Sequence, residues 1–336
     1  MSKIKYRKSM EKFQKMLIPT IYGDVPTFLG VPAARKKGEL KGADAAFLGL
    51  PSQGAEMLVG REVGVNIMDT MRLRKASIKY GGYLPELDMD VLGQVNLVDC
   101  GDVTGFYPLD QVDIEEYFQL AEKRIFEILE AGCIPLTVGA HPYLVAKSIC
   151  RLGGNLGIIH LDAHADNMES HQNSKWSLAC WVARVSELDG VNMKNFIQIG
   201  MRGPRNFREQ MEWYRKKGAT VYTYTEIEKN GIIAITGEAI KKAGAGVDHL
   251  FLNLDLDVLD LGAAPGLDEP LGITTTDLLK IVHEVGKNMV TAFNVEWIPT
   301  PAWQPYQLPA WPLYWITTWT ILYLLAGVAS SKRLQR

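Results

Sequence analysis

Neither sign of charge predominates in this 336-residue chain, where 36 Lys and Arg stand against 38 Asp and Glu for a formal net charge of −2. That balance gives no electrostatic reason for a nucleic-acid or acidic-membrane partner. Cysteine is scarce: Cys100, Cys133, Cys150 and Cys180 are scattered without C-x-x-C spacing. Each lies among apolar residues, which reads as buried, reduced thiols of a cytoplasmic protein. The opening stretch, MSKIKYRKSMEKFQKM, lacks the apolar core of a secretory signal. Residues 1–24 read instead as an arm or short helix able to pack on a neighbouring subunit. Internal repeats, low-complexity tracts and clear linkers are also missing.

What is present fits a globular α/β enzyme. Apolar residues make up 47% and charged residues 22% of the chain, ordinary values for a folded domain. One domain over residues 25–331, followed by a basic tail at 332–336, accommodates this length. Strand and helix signals alternate. Residues 45–50, 134–138, 195–200 and 220–224 read as strands. Residues 114–131, 205–217 and 274–285 read as helices. Recurrent βα units favour a parallel, doubly wound sheet.

The chemistry gathers in two places. Residues 156–166, LGIIHLDAHAD, form an apolar run that ends in Asp162, His164 and Asp166. Such a run suits a strand of a parallel sheet buried on both faces, and ligands collect beyond the carboxyl ends of those strands. Oxygen and imidazole donors together suit manganese, nickel, iron or zinc better than calcium. Residues 251–257, FLNLDLD, repeat the pattern, and strand alternation puts Asp255 and Asp257 on one face. Either motif alone is equally well read as strand-end carboxylates that cap a helix or pair with a lysine. Together they suggest opposite walls of one site, because four clustered aspartates repel unless a divalent cation neutralises them.

These two motifs resemble signatures of the ureohydrolases, the arginase and agmatinase superfamily. FLGLPSQG (47–54), VDCGDV (98–103), VGAH (138–141), IQIGMRG (197–203) and NVEWIP (294–299) follow in the family's order. The resemblance covers residues 25 to 330. It implies a single-domain, three-layer α/β/α fold around a central parallel sheet, with a binuclear metal centre at the strands' carboxyl ends. It further implies hydrolysis of a guanidino or biguanide compound to urea and an amine, by a hydroxide activated between two divalent cations. Mn2+ is the first expectation and Ni2+ the alternative. Asp162 and Asp255 would bridge the metals, with His141 and Asp166 completing one shell and His164 and Asp257 the other. Asp166 is the candidate for proton transfer to the leaving amine, and Glu296 the candidate to hold the guanidinium. Homo- or hetero-oligomers, trimeric or hexameric, are expected from the family alone.

The departures from the family pattern matter as much. The usual Gly-Gly-Asp-His-Ser reads Gly139-Ala140-His141-Pro142-Tyr143 here. A one-residue deletion places His141 on the ligand position; the other reading is a loop histidine hydrogen-bonded to backbone. The customary His-Gly beyond the first metal motif is replaced by Ser174-Lys175-Trp176-Ser177. His171 stands nearby as a functional substitute or as a solvated loop histidine. Loops at 61–66 and 265–270 also differ. These changes suit a second reading, a weak or silent subunit that supports a related active chain, as in heteromeric members of the metformin hydrolase type.

No charged residue occurs between Glu296 and Lys332, and residues 310–329 are apolar enough to span a bilayer. Pro312 and three threonines interrupt that run, and the family ends in an apolar helix packed on the sheet, so no membrane partner is expected. Trp297 and Trp303 follow Glu296 and are candidates to line the substrate pocket, where aromatic faces suit a weakly polar cation. Trp311, Trp315 and Trp319 are candidates for a subunit interface.

Overall fold

Eight parallel strands make the central layer: β1 (Ala45–Gly49), β2 (Leu97–Asp102), β3 (Ile134–Val138), β4 (Leu156–Leu161), β5 (Val191–Met201), β6 (Thr220–Thr223), β7 (His249–Asp255) and β8 (Val290–Glu296). Their spatial order is β2-β1-β3-β8-β7-β4-β5-β6, and every pairing is parallel. This is a computed structural model, and it describes residues 26–50, 70–103, 114–171, 173–264, 267, 269–288, 290–296 and 311–331. The expected N-terminal arm, the basic tail, the 61–66 loop, Trp297 and Trp303 lie outside the described residues.

The middle strands are buried on both faces, which is why they read as continuous apolar runs rather than alternating ones. The described helices are α1 (Thr70–Ser77), α2 (Ile114–Glu130), α3 (Pro142–Cys150), α4 (Trp181–Val185), α5 (Arg208–Lys217), α6 (Tyr224–Asn230), α7 (Ile232–Ala243), α8 (Thr275–Gly286) and α9 (Trp311–Ser330). A single-turn helix over Val91–Gln94 follows a short antiparallel pair, Tyr83–Leu84 with Met89–Asp90. Helices α1, α7, α8 and α9 share one core with Phe47, Leu136, Ile159, Leu252 and Phe293. Helices α2 to α5 share the other with Leu48, Ile158, Phe196, Phe251 and Ala292. Two helical layers therefore enclose the sheet, in the three-layer arrangement expected.

Local chemistry sets the boundaries. Thr274 caps α8 by accepting the Asp277 N–H at 3.1 Å, so the helix begins at Thr275. Helix α5 starts at Arg208 rather than near residue 205. The Asn206 amide is committed to the carbonyls of Ala163 and Arg202, 3.0 and 2.6 Å away, which holds that segment as a turn. Gly218, at φ 81°, ends the helix in the left-handed conformation that glycine tolerates.

Helix α9 is long and apolar enough to cross a bilayer, yet most of its residues are buried within the protein. It packs most extensively on α8, and the two backbones meet at a glycine pair. A Cβ on Gly327 would lie 2.2 Å from the His283 carbonyl oxygen and 2.9 Å from Gly286 Cα. Trp311, Trp315 and Trp319 recur every four residues on the outer face and are each a little over one-third exposed. The Lys79 ammonium sits 3.8 Å from the Trp315 ring centroid, a cation–π contact.

Candidate metal centre

Side chains on alternate strand positions converge at the carboxyl ends of β4, β7 and β8. Asp162 follows β4 directly, Asp255 is the last residue of β7, and Glu296 is the last of β8. All three are buried, and each offers an oxygen within 4.8 Å of the others. Two further groups, Asp162 with His164 and Asp257, and His160 with Asp162 and Asp166, meet the same limit. Asp162 belongs to every group and is fully buried.

Asp257 reaches the cluster by a different route from the one its spacing suggests. Strand β7 stops at Asp255, whose side chain accepts the Asp257 N–H at 2.9 Å and starts a 3-10 turn over Leu256–Val258. Asp257 is therefore presented by a turn rather than by strand alternation. Its Oδ1 accepts the Ala163 N–H at 3.1 Å, and its Oδ2 lies 2.9 Å from His164 Nδ1. Asp166 adopts φ 47°, a left-handed conformation that Asp tolerates better than most residues.

Electrostatics follow from this crowding. Burial, then the charges of Asp257, Asp166, Asp255 and Glu296, hold the Asp162 carboxyl well above the ordinary carboxylate range. Burial, followed by Asp257 and Glu296, does the same to Asp255. Asp257 moves the opposite way: burial pushes it up, but the hydrogen bond and charge of His164 outweigh that and bring it to about 2. Burial likewise works against a charged His164, yet Asp257, Asp166 and Glu269 raise it to about 9. Its second nitrogen lies 3.0 Å from Glu269 Oε1, which also meets the Arg205 guanidinium at 3.0 Å. His164 thus places a cation directly against these aspartates. The cluster as a whole remains acidic.

The donor set fits divalent cations. Asp162 Oδ2 is buried without an in-line hydrogen-bond partner among the described residues. Hard carboxylate oxygens with imidazole nitrogens are what manganese, nickel and related ions accept. Such a charge would relieve the repulsion that raises Asp162 and Asp255.

Of the residues the sequence singled out, Asp162, His164, Asp166, Asp255, Asp257 and Glu296 are brought together. His141 belongs to none of the three groups. Its Nε2 lies 3.1 Å from the Trp176 carbonyl oxygen, its Nδ1 is buried without a partner among the described residues, and Phe118 packs 5.3 Å from its ring. Burial lowers its pKa to about 4. His171 is also separate, its backbone paired with Ser174. Sequence reasoning missed His160, hidden in a run read as apolar although it lies two residues before Asp162 on the same strand face. It missed Glu269 too, inside a drifted loop. Arg202 of the MRG motif proves to be a staple: its guanidinium donates to the carbonyls of Asp257, Leu259, Glu269 and Pro270 at 2.7–3.1 Å.

Residues 43–303 match the arginase family. The chain belongs to that family. This arginase-family chain is 27% identical over 268 residues to a guanidinobutyrase of Pseudomonas aeruginosa, covering 78% of this chain and 81% of that protein. It is 30% identical over 258 residues to an agmatinase of Bacillus subtilis, covering 75% and 81%. Among solved structures, the formiminoglutamase of Trypanosoma cruzi with Mn2+ superposes with a TM-score of 0.76, at 19% identity over 92% of this chain and 100% of that one. That superposition supports the three-layer fold of the arginase-family chain independently of its motifs.

Proposed function

We propose that this chain hydrolyses a guanidino or biguanide compound to urea and an amine with the help of two divalent cations, Mn2+ first and Ni2+ as the alternative. The observation that carries the reading is the convergence of Asp162, Asp255 and Glu296 within 4.8 Å, flanked by His164, Asp166 and Asp257. His141, Asp162, His164, Asp166, Asp255 and Asp257 would hold the cations. When bound, they would supply Lewis-acid polarisation and a nucleophile available near neutral pH.

The chain's own residues account for the rest. Glu296 would pair with the planar guanidinium by charge-assisted hydrogen bonds and hold its carbon beside Asp162 and Asp255. Its orientation is set from below by the Asn253 amide, which donates to Oε1. Asp166 would take a proton from the attacking water and pass it to the departing amine. The balance is that of hydrolysis: one C–N bond breaks, the water oxygen stays on the carbon as urea, and both protons leave with the products. The Trp297 and Trp303 rings would line the pocket, with His171 in reserve for proton transfer. The relatives' names, guanidinobutyrase and agmatinase, support a guanidino substrate.

The protein is further proposed to work in the cytosol as a trimer or hexamer, with neither nucleic acid nor membrane as a partner. The altered loop at His141, whose Nε2 lies 3.1 Å from the Trp176 carbonyl oxygen, favours a second reading, in which this chain supports an active related chain in a hetero-oligomer. One experiment separates them. The purified chain is assayed for bound metal and for urea release from arginine, agmatine, guanidinobutyrate, guanidine and biguanides. Two metals per chain with turnover is the expected result. A chain that binds metal but turns over only beside a related protein would establish the second reading, and one that binds no metal would overturn the first.

A further inference from the structure

Beneath the carboxylates, one face of the sheet carries a row of polar side chains of which the proposed reaction uses only Asn253. In register, Thr137 on β3 neighbours Asn294 on β8, then Asn253 on β7, His160 on β4 and Gln198 on β5. All five are fully buried. Their positions alternate with the apolar residues of the opposite face, so the row is a direct product of strand periodicity and parallel register.

Hydrogen bonding gives the row a direction. The Ala140 carbonyl can only accept, and Asn294 Nδ2 donates to it at 3.1 Å. That fixes the Asn294 amide. Its second N–H goes to Asn253 Oδ1 at 2.8 Å, and its oxygen accepts the Thr137 hydroxyl at 2.7 Å. Asn253 is thereby fixed as well. One of its N–H groups points to Glu296 Oε1 and the other to His160 Nδ1 at 3.1 Å. With a donor facing Nδ1, that nitrogen must accept, and the hydrogen of a neutral ring sits on Nε2. Nε2 lies 2.9 Å from Asp162 Oδ2.

We infer that His160 is a positioning residue, held by Asn253 as the Nε2–H tautomer so that this N–H faces Asp162 Oδ2 across 2.9 Å, out of line for a full hydrogen bond, and steers that carboxylate into the centre. The competing role is ligation, since His160, Asp162 and Asp166 have donor atoms within 4.8 Å of one another. Ligation through Nε2 would put the ring hydrogen on Nδ1, opposite the Asn253 N–H. Turning Asn253 over would set its oxygen against the Glu296 carboxylate and its NH2 against that of Asn294. The row therefore opposes ligation at both ends. Gln198 extends the same frame on the far side, its oxygen accepting from the Tyr214 hydroxyl at 2.6 Å and its amide donating to the His164 carbonyl.

The tautomer can be read directly, and its consequence for metal rests on the reading proposed above. Protein labelled with 15N-histidine is compared by two-bond 1H–15N correlation without metal and with Zn2+ as a diamagnetic probe, with His160→Gln assigning the resonance. The neutral Nε2–H pattern is expected in both states. In Asn253→Asp, a protonated carboxyl at 253 turned to accept from Nδ1 should move the ring toward the Nδ1–H form. Mn2+ affinity should fall about 10–100-fold in His160→Leu, and most of it should return in His160→Gln, whose amide restores an N–H toward Asp162. An Nδ1–H pattern in the parent, loss of the Nε2 proton on adding Zn2+, or equal affinities for Leu and Gln would each overturn the inference. If His160→Leu does not fold, the parent spectrum alone decides. If the chain binds no metal, the hydrolase reading fails while the metal-free tautomer still tests the positioning role.

Discussion

Replacing Asp255 by Asn should have opposite effects on the metal-free and the metal-loaded chain. Asp255, Asp162 and Glu296 offer oxygens within 4.8 Å of one another, and Asp255 is almost fully buried. Two unit charges at that separation repel by about 3.5 kcal/mol at an effective dielectric of about 20. Burial, then the charges of Asp257 and Glu296, raise the Asp255 carboxyl above the ordinary range. Asn keeps an oxygen for the Asp257 N–H, bonded at 2.9 Å in the parent, and removes the charge. Metal-free Asp255→Asn should therefore be more stable by about 1–3 kcal/mol, the range in which neutral replacements of buried charges fall. The parent should gain from Mn2+ by mass action, about 2.7 kcal/mol at one hundred times Kd, while the variant should gain little. Thermal unfolding at pH 7 in EDTA and then in Mn2+ gives both numbers, and the stability order of the two proteins should invert. A variant less stable than the parent in EDTA, or equally stabilised by Mn2+, would refute the argument that this cluster stores repulsion for a cation.

Three further outcomes can be checked on folded protein. Gly327→Ala places a Cβ 2.2 Å from the His283 carbonyl oxygen at the α8–α9 crossing, and overpacking of this kind costs about 1–3 kcal/mol; an unchanged urea midpoint would contradict the close approach. Arg74→Ala removes both bonds to Asp99, at 2.8 and 3.0 Å, and strands a buried carboxylate, with an expected loss of about 3–5 kcal/mol by chemical denaturation; a change below 1 kcal/mol would place Asp99 in a wetter site than described. Burial lowers His141 from 6.5 to about 4, so the unfolded chain takes up its proton first. That contribution is complete above pH 6.5 and is lost as pH falls toward 4, by about 3 kcal/mol in all. In EDTA, His141→Phe should flatten the stability curve over that interval, and parallel curves for variant and parent would rule this out.

Much of this architecture was legible because its signals are local. Strand β3 falls at 134–138 as its apolar run suggests, and Thr274 marks the start of α8 by its capping chemistry. Asp162, His164, Asp166, Asp255 and Asp257 announced themselves by interrupting apolar runs, and Glu296 by the family motif in which it stands. What was hidden depends on register. Asn253, Asn294 and His160 look like isolated polar residues in three distant segments, and only parallel pairing puts them in one row. Asp257 lies beside Asp162 and His164 for a reason its spacing does not give, since a turn capped by Asp255 rather than strand alternation delivers it. The orientation of His141 turns on the Trp176 carbonyl 35 residues away, and no spacing rule encodes that contact.

Strand β8 sits between β3 and β7, and it is the last strand of the sheet to be reached along the chain. Without it, the remaining strands would separate into a set of three, β2-β1-β3, and a set of four, β7-β4-β5-β6. The order of assembly follows from this placement. Each set is drawn from one continuous stretch of chain, whereas joining them requires residues 290–296 to pair with β3, whose Thr137 is 157 positions before Asn294, a closure over a long loop and hence a slow one. Glu296 arrives with that strand and Asn253 receives it, so the acidic cluster reaches full strength only when the two sets join. Acquisition of tight metal binding during refolding would then serve as a clock for the insertion of the keystone strand.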